Sequence, residues 1–145
     1  MLKRNATAVW HGTGPKGNGT LTTLSGAFKE QPYSANTRFT AEDGRAGTNP
    51  EELIAAAHSG CFTMALAFQL TNAGFEPTEL KTVAVVSMEK QEAGWTIVGI
   101  ALDVTGTVPN ASAEKFEELA GNAKKGCPIS RALASVPITM TAKLS

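Results

Sequence analysis

The sequence predicts an α+β fold, with strands before and after one long central helix. The segment Leu53 to Phe75 contains no charged residue and has the length of a long helix. Residues 80–90 and 95–108 have the length and composition of two strands, with Gly94 in the turn between them. Because helices and strands are grouped and do not alternate as βαβ units, the pattern favours α+β over a parallel α/β sheet.

Length and composition are typical of one ordered globular domain spanning residues 1–145. A chain of 145 residues can bury a core without a disulfide or a metal ion. Its hydrophobic fraction of 42% and charged fraction of 18% are unlike those of a disordered chain. Lys plus Arg and Asp plus Glu both number 13, which argues against a protein that mainly binds nucleic acid or a membrane. No apolar signal sequence follows Met1, so we expect a cytoplasmic protein with reduced thiols.

The region before the helix predicts three strands, at residues 2–10, 20–29 and 36–40. The intervening segment Gly12 to Gly17 matches a dinucleotide-binding fingerprint letter for letter. That fingerprint requires a helix after it, and here a strand-like run follows. The segment is therefore interpreted as a hairpin loop.

The residues around Pro50 are of types that favour the start of a helix, and proline itself suits the first turn. Asn49 or Thr48 can cap this helix, and Glu51 and Glu52 lie at its positive end. The helix is expected to run to about residue 72 and to end at Gly74.

The uncharged character of this helix has two explanations. Its length would suit a membrane span, but polar residues such as His58 and Gln69 favour a soluble helix that is buried on most sides. One chain of this size covers such a helix poorly. We therefore expect a dimer that packs two helices between two sheets.

The C-terminal third predicts two helices and a strand. Ser112 can cap a helix over residues 113–124, which Gly126 stops, and Pro128 opens a short helix to about residue 134. A last strand is expected over residues 138–144.

The two cysteines are the first candidates for chemistry. Cys61 lies in the middle of the central helix, where a cysteine is often a small core residue. Cys127 lies at a predicted helix start after Lys124 and Lys125, a setting that favours the thiolate. The residues alone leave open whether the two cysteines form a redox couple or are inert.

Three further residues are candidates with ordinary alternatives. Arg38 can be a solvated charge on a strand, and Glu51 can serve only the start of the helix. His58 precedes Cys61 by three residues and shares its helix face, which admits a Cys–His hydrolase. A zinc site needs more ligands than these residues supply, so metal binding is not expected.

Several segments resemble the osmotically inducible protein C (OsmC) family, which includes the organic hydroperoxide resistance proteins. The resemblance covers nearly the whole chain and is carried by both cysteine motifs. The similar segments are Ala8–Gly12, Gln31–Phe39, Gly47–Leu53, Ala55–Phe62 and Gly126–Ser130. The segments Gln31–Phe39 and Ala8–Gly12 are similar to the OsmC branch in particular.

The resemblance implies an OsmC-like fold with a buried central helix on an antiparallel sheet, in an intertwined homodimer. It implies a peroxidase of the oxidative or osmotic stress response that acts on organic hydroperoxides. Cys61 would be the peroxidatic thiol, Cys127 the resolving thiol, and Arg38 and Glu51 the partners that activate Cys61. A Cys61–Cys127 disulfide would be reduced by a dithiol, with a lipoylated protein as the implied donor. No haem, flavin or metal cofactor is expected.

Two interpretations of the cysteines disagree on their roles. The helix-start argument makes Cys127 the more acidic thiol, whereas the resemblance assigns the attack to Cys61, which would then depend on Arg38. A non-catalytic stress or ligand-binding protein with the same fold is the alternative function.

Helix geometry makes a prediction about the dimer. Glu51 and Cys61 are ten residues apart, which is roughly 15 Å along a helix axis and nearly a quarter turn around it. A glutamate side chain does not span that distance. Each site is therefore expected to combine Cys61 of one chain with Glu51 of the other, and the chain that supplies Arg38 is left open.

Overall fold

A computed structural model describes all 145 residues and has the predicted α+β composition. The chain divides into two compact units, Met1–Leu53 and Ile54–Ser145, called here the first and the second unit. The expectation of a single domain stays a prediction.

The first unit contains a three-stranded antiparallel sheet in the order β1-β2-β3. Its strands are Ala6–His11 (β1), Asn18–Thr23 (β2) and Gln31–Ser34 (β3). The loop between β1 and β2 closes with a hydrogen bond from the Gly17 N–H to the Thr13 carbonyl, 2.7 Å. A side chain at Gly17 would collide with backbone oxygens, so the glycine serves the hairpin. The hairpin interpretation is confirmed.

One predicted strand of the first unit is too long and another is wrong. The strand expected over residues 20–29 ends at Thr23, and the one expected over residues 36–40 is a π-helical turn, Asn36–Thr40. The Thr37 N–H donates to the Ser34 hydroxyl, 3.2 Å, and the Ser34 N–H donates to the Thr37 hydroxyl, 3.0 Å. These reciprocal bonds start a helical turn in the way that a capping box does, and they outweigh the local strand propensity.

The central helix α1 spans Pro50–Asn72 without a break at Gly60. The Glu52 N–H donates to Asn49 Oδ1, 2.8 Å, so Asn49 is the cap and Thr48 is not. Gly74 follows the helix with φ +89°, as expected for a residue that terminates it.

The second unit contains a three-stranded sheet in the order β4-β5-β6. Its strands are Glu79–Gln91 (β4), Gly94–Thr107 (β5) and Ile138–Leu144 (β6). Strands β4 and β5 are antiparallel, but β6 pairs with β5 in parallel. The expectation of an antiparallel sheet therefore needs correction, because the chain crosses over through two helices before β6.

The crossover helices are Ala113–Gly126 (α2) and Pro128–Ala132 (α3). The Lys115 N–H donates to the Ser112 hydroxyl, 3.1 Å, which confirms the predicted cap of α2. Only Cys127 separates the two helices, and it caps α3 with its own sulfur.

The hydrophobic core lies in the second unit and is shared by α1, β5 and α2. Its largest fully buried side chains are Phe62, Leu66, Leu70, Leu102, Val104 and Phe116. The face of α1 that contributes to this core repeats every four residues, as a helical period requires.

The opposite face of α1 is exposed, so the helix is not buried on most sides within one chain. Met64 is 63% exposed and Phe68 is 64% exposed, and Ala57 and Gly60 lie on the same face. By length and hydropathy α1 would also pass as a membrane span, a test that the core helix of a soluble protein passes as well. The uncharged face formed by Ala57, Gly60, Met64 and Phe68 is called here the open face of α1.

Candidate functional site

The two thiols lie together in the second unit. The Cys61 and Cys127 sulfurs are 3.0 Å apart and share a hydrogen bond, and both thiols are free. A disulfide bond is about 2.05 Å long, so a shift of about 1 Å would close it. Cys127 is 0% exposed, whereas Cys61 is partly accessible to solvent.

Different surroundings move the pKa values of the two thiols in opposite directions. Burial raises the pKa of Cys61, as does its hydrogen bond to Cys127, and the backbone N–H of Ile129 only partly offsets this. Burial also acts to raise the pKa of Cys127, but hydrogen bonds from Cys61, Ser130 and Ile129 outweigh it and lower that pKa. Cys127 is therefore the more acidic thiol of the pair, as its place at a helix start predicts.

A buried pair of polar side chains lies behind Cys127. His58 Nε2 is 2.6 Å from the Ser130 hydroxyl, and the Ser130 N–H donates to the Cys127 sulfur, 3.5 Å. His58 is 0% exposed, and burial lowers its pKa, so the ring is neutral at pH 7. Nε2 is engaged by Ser130 and Nδ1 has no hydrogen-bond partner, so the Cys–His pair of a hydrolase is not formed with Cys61.

The other predicted pair, Arg38 and Glu51, lies in the first unit. Arg38 donates to the Glu51 carboxylate from Nη2, 2.8 Å, and from Nε, 3.2 Å to one oxygen and 3.3 Å to the other. Glu51 is buried, and the Arg38 side chain is 37% exposed and lies 4.9 Å above the centre of the Phe39 ring. This bidentate pairing fixes the plane of the guanidinium group and leaves Nη1 available for another acceptor.

Local structure explains how Arg38 is aimed at Glu51. The π-helical turn bulges the chain at Arg38, and the Thr37 hydroxyl also donates to the Thr48 carbonyl, 3.2 Å. This bond ties the turn to the residues just before α1, and Glu51 lies in the first turn of that helix. A π-helical turn is often found at functional sites.

An aromatic pocket adjoins Arg38 in the first unit. It has a volume of about 190 Å³ and is lined by Trp10, Tyr33, Phe39 and neighbouring backbone. The Trp10 and Tyr33 rings pack with their centres 5.4 Å apart at 58°. The pocket offers apolar surface beside a guanidinium group.

The structure thus brings the four predicted residues together as two pairs, one in each unit. Ser130 was not among the predicted site residues, although its place three residues after a helix-capping cysteine was a signal for a hydrogen bond to the sulfur. No group of three His, Cys, Asp or Glu side chains has the arrangement of a metal site.

Comparison with known proteins assigns the chain to a family. A free dithiol with one accessible and one buried sulfur is an arrangement that dithiol redox proteins use. The family described as "OsmC-like protein" matches residues 41–141. The chain is 46% identical to Peroxiredoxin OsmC of Escherichia coli (strain K12) over 132 residues, 91% of this chain and 90% of that protein.

A second relative comes from the hydroperoxide resistance branch. The chain is 32% identical to the Organic hydroperoxide resistance protein OhrB of Bacillus subtilis (strain 168) over 92 residues, 63% of this chain and 65% of that protein. The crystal structure of B. subtilis OhrB superposes with a TM-score of 0.71 at 26% identity and covers 97% of this chain and 98% of that one. The chain belongs to the OsmC-like protein family, and its identity is higher to OsmC than to OhrB.

Proposed function

We propose that the chain is a thiol-dependent peroxidase that reduces organic hydroperoxides to alcohols. The observation that carries this proposal is the free Cys61–Cys127 pair, with its sulfurs 3.0 Å apart and only one of them buried completely. The names of the relatives, a peroxiredoxin and an organic hydroperoxide resistance protein, support the same class of reaction.

Accessibility supports Cys61 as the attacking thiol, even though Cys127 is the more acidic one. The Cys61 thiolate attacks the distal peroxide oxygen, the O–O bond breaks, and the alcohol leaves with a proton. Cys61 becomes a sulfenic acid. The Cys127 thiolate then attacks the Cys61 sulfur and the S–O bond breaks. The hydroxide that leaves takes up the proton that the Cys127 thiol had lost, which gives water and the Cys61–Cys127 disulfide.

Activation of Cys61 is assigned to Arg38 and Glu51. Because its surroundings raise the pKa of Cys61, the thiol needs a cation to ionise at neutral pH. A guanidinium group stays charged and can donate to both sulfur and peroxide oxygen. Glu51 accepts hydrogen bonds from Nε and Nη2 of Arg38, which form one edge of the guanidinium group, and this leaves Nη1 to serve the reaction.

The preference for organic hydroperoxides is attributed to apolar surface near Arg38. The pocket of about 190 Å³ lined by Trp10, Tyr33 and Phe39 can hold an alkyl or aryl group. Hydrogen peroxide would gain nothing from that surface. Phe62, a residue that could have contacted substrate by its position beside Cys61, is instead fully buried in the core.

A homodimer is part of the proposal. The open face of α1 leaves Met64 and Phe68 exposed, and the outward face of β4 leaves Val83 and Val85 about half exposed. Each of these two faces offers exposed apolar surface, which is typical of an interaction site. A second copy of the chain would cover it.

In this dimer each site would combine residues of both chains. Glu51 and Cys61 lie on one unbroken helix, so roughly 15 Å of axis separates them. If two copies of α1 cross antiparallel near Ala56, Glu51 of each chain lies opposite Cys61 of the other. The small side chains of Ala56, Ala57 and Gly60 would allow the close approach that such a crossing needs.

The remaining parts of the proposal concern partners and compartment. A dithiol, with a lipoylated protein as the candidate donor, would return the disulfide to the free thiols. The reaction as written needs no metal or organic cofactor. We place the protein in the cytoplasm, where thiols are kept reduced, and assign it no membrane or nucleic-acid partner.

The first test counts thiols before and after one equivalent of cumene hydroperoxide. We expect both thiols to be lost in the wild type and a sulfenic acid to be trapped on Cys61 in Cys127→Ser. Cys61→Ser is the matched control and should consume no peroxide. If the wild type keeps both thiols, the non-catalytic alternative is correct, and a sulfenate on Cys127 in Cys61→Ser would reverse the roles.

The second test mixes Glu51→Ala and Cys61→Ser subunits, which are expected to be inactive as separate homodimers. If the sites are shared, one of the two sites in a mixed dimer contains intact residues, so activity should return. Mixed dimers that are shown to form but stay inactive would place each site within a single chain.

A further inference from the structure

His58 takes no part in the proposed reaction, yet it is the most deeply buried polar side chain of α1. It is 0% exposed, and only Nε2 has a hydrogen-bond partner, the Ser130 hydroxyl at 2.6 Å. Nδ1 is buried and unpartnered. Keeping an imidazole here costs free energy that an apolar side chain would not, because a buried polar atom without a partner loses its hydration.

The unpartnered Nδ1 indicates which tautomer is present. If Nδ1 carried the proton, a buried N–H donor would lack an acceptor, which is rare in folded proteins. A buried lone pair without a donor is the smaller penalty. The proton therefore lies on Nε2, and His58 donates to Ser130.

This tautomer determines what the Ser130 hydroxyl can do. Its oxygen accepts from His58, so its own hydrogen is free to donate elsewhere. The Ser130 N–H donates to the Cys127 sulfur at 3.5 Å, and hydrogen bonding by both the N–H and the side chain of Ser130 lowers the pKa of Cys127. A hydroxyl held by His58 beside this sulfur can complete a chain of donors from His58 through Ser130 to Cys127, in which each bond polarises the next.

We propose that His58 is a positioning residue that holds the Ser130 hydroxyl as a donor to the Cys127 sulfur and thereby promotes departure of the Cys127 thiolate when a dithiol opens the disulfide. The inference rests on the proposed function in one respect, that a Cys61–Cys127 disulfide forms in the reaction. It adds a role for two residues, His58 and Ser130, that the proposed peroxide chemistry does not use.

The reductive step follows from which sulfur is accessible. A thiolate of the dithiol attacks Cys61, because Cys127 is 0% exposed. The Cys61–Cys127 bond breaks, its electron pair leaves on Cys127, and a mixed disulfide forms on Cys61. The second thiol of the dithiol loses its proton, attacks its own mixed disulfide and releases Cys61 as a thiolate. The dithiol has given two electrons, and a leaving thiolate of lower pKa departs faster.

Charged side chains do not substitute for these hydrogen bonds. Lys124 and Lys125 in the last turn of α2 and Arg131 in α3 are the basic groups on the helices next to Cys127, and none contributes to its pKa shift. Cys61 is the one titratable partner on α1 that does. Hydrogen bonding therefore sets the acidity of Cys127.

The experiment measures reduction of the disulfide without any peroxide. The full-length disulfide form is made with diamide and reduced by excess dithiothreitol in a stopped-flow instrument. His58→Leu should slow the reduction about tenfold, because the leaving thiolate loses its fixed donor. His58→Gln, whose amide can donate from the Nε2 position, should stay within about twofold of the wild type.

Ser130→Ala tests the relay directly. It should slow reduction as much as His58→Leu, and the double variant should be no slower than either single one, since one chain of bonds is broken in all three. Ultraviolet titration of the Cys127 thiolate in a Cys61→Ser background should show a raised pKa in His58→Leu and recovery in His58→Gln. A purely structural role would not produce that recovery.

Several results would overturn the proposal. One is a wild-type reduction rate in folded His58→Leu or Ser130→Ala. Another is reduction of His58→Gln that is as slow as that of His58→Leu. A third is a double variant in which the effects of the two substitutions add. The proposal would also be overturned if His58→Leu slowed the reaction of Cys61 with peroxide, measured in a Cys127→Ser background, as much as it slows reduction of the disulfide. If peroxide never oxidises the wild type, the proposed function fails, while the diamide-made disulfide still decides the role of His58.

Discussion

The first and second units differ in how many of their hydrophobic side chains are buried. Every residue of β1 is exposed, and Val9 and Trp10 on that strand are 44% and 36% exposed. All buried hydrophobic residues lie between Phe62 and Cys127, in the second unit. Since buried apolar area is the main source of folding free energy, the second unit has its own core, whereas the first unit buries no hydrophobic side chain to that extent.

The two units also hold opposite kinds of reactive group. The first unit holds an ion pair, Arg38 and Glu51, whose arginine keeps contact with water. The second unit holds two thiols, of which Cys127 is completely buried and is the more acidic. A guanidinium group keeps its charge at little cost where water reaches it, whereas a disulfide-forming pair benefits from exclusion of other thiols. Neither unit alone holds all the groups of the proposed peroxidase.

The largest expected effect comes from removing the cation. Arg38→Ala should lower kcat/KM for cumene hydroperoxide by about 10²–10³-fold, the usual loss when one preorganised donor to a developing charge is deleted. The free energy of unfolding should fall by only about 1–3 kcal/mol, because the Arg38 side chain is partly solvated while the buried Glu51 carboxylate loses its partner. Steady-state kinetics and urea unfolding on the same samples check both parts.

Arg38→Lys is the matched control for charge. It should recover only part of the activity, because an ammonium group lacks the planar fork that pairs with Glu51. Wild-type kcat/KM in Arg38→Ala would remove the ion pair from the mechanism and leave the first unit without a catalytic group.

Elements with strong local signals were predictable from the sequence. The start of α1 at Pro50, its cap at Asn49 and the cap of α2 at Ser112 follow from residue types at fixed offsets. The π-helical turn at Asn36–Thr40 was not predictable, because the bonds that start it join Ser34 and Thr37, and Thr is also common in strands. The parallel pairing of β6 depends on a tertiary crossover that no local pattern encodes.

The sequence and the resemblance named four candidate residues, but their arrangement was predictable only in part. Cys127 at a helix start already indicated the more acidic thiol, as its lowered pKa bears out. The pairing of Arg38 with Glu51 needed the resemblance, since each has an ordinary role in isolation. The link between His58 and Ser130 joins residues 72 positions apart, and sequence spacing carries no information about such a contact.

The next prediction concerns what covers the open face of α1. Phe68→Asp should convert the proposed dimer to monomer at micromolar concentration, because it would bury an unpaired carboxylate in the interface. Sedimentation velocity measures the change. Asn122→Asp, which places the same charge on the exposed side of α2, should leave the dimer intact. A Phe68→Asp protein that sediments as the wild type would mean that this face is not the interface.

Paired truncations test the burial contrast. Leu66→Ala, in the core of the second unit, should lower the free energy of unfolding by about 2–5 kcal/mol through the cavity it leaves. Val9→Ala, on exposed β1, should change it by about 0.5 kcal/mol. Urea unfolding followed by fluorescence and circular dichroism compares them. Equal costs would show that the first unit is as deeply covered in solution as the second, which would remove the contrast.

The smallest expected effect is a pH dependence that belongs to the second unit. Burial lowers the pKa of His58 below its ordinary 6.5, so the folded chain keeps the ring neutral where the unfolded chain protonates it. Below that pH the unfolded state binds more protons, and stability must fall as the pH falls. The urea midpoint should therefore drop between about pH 7 and pH 5.5 more in the wild type than in His58→Gln, which has no titrating ring. His11 is exposed and present in both proteins, so it cancels in the comparison. Parallel midpoints would mean that the imidazole accepts its proton inside the fold, and the neutral donor to Ser130 would then be wrong.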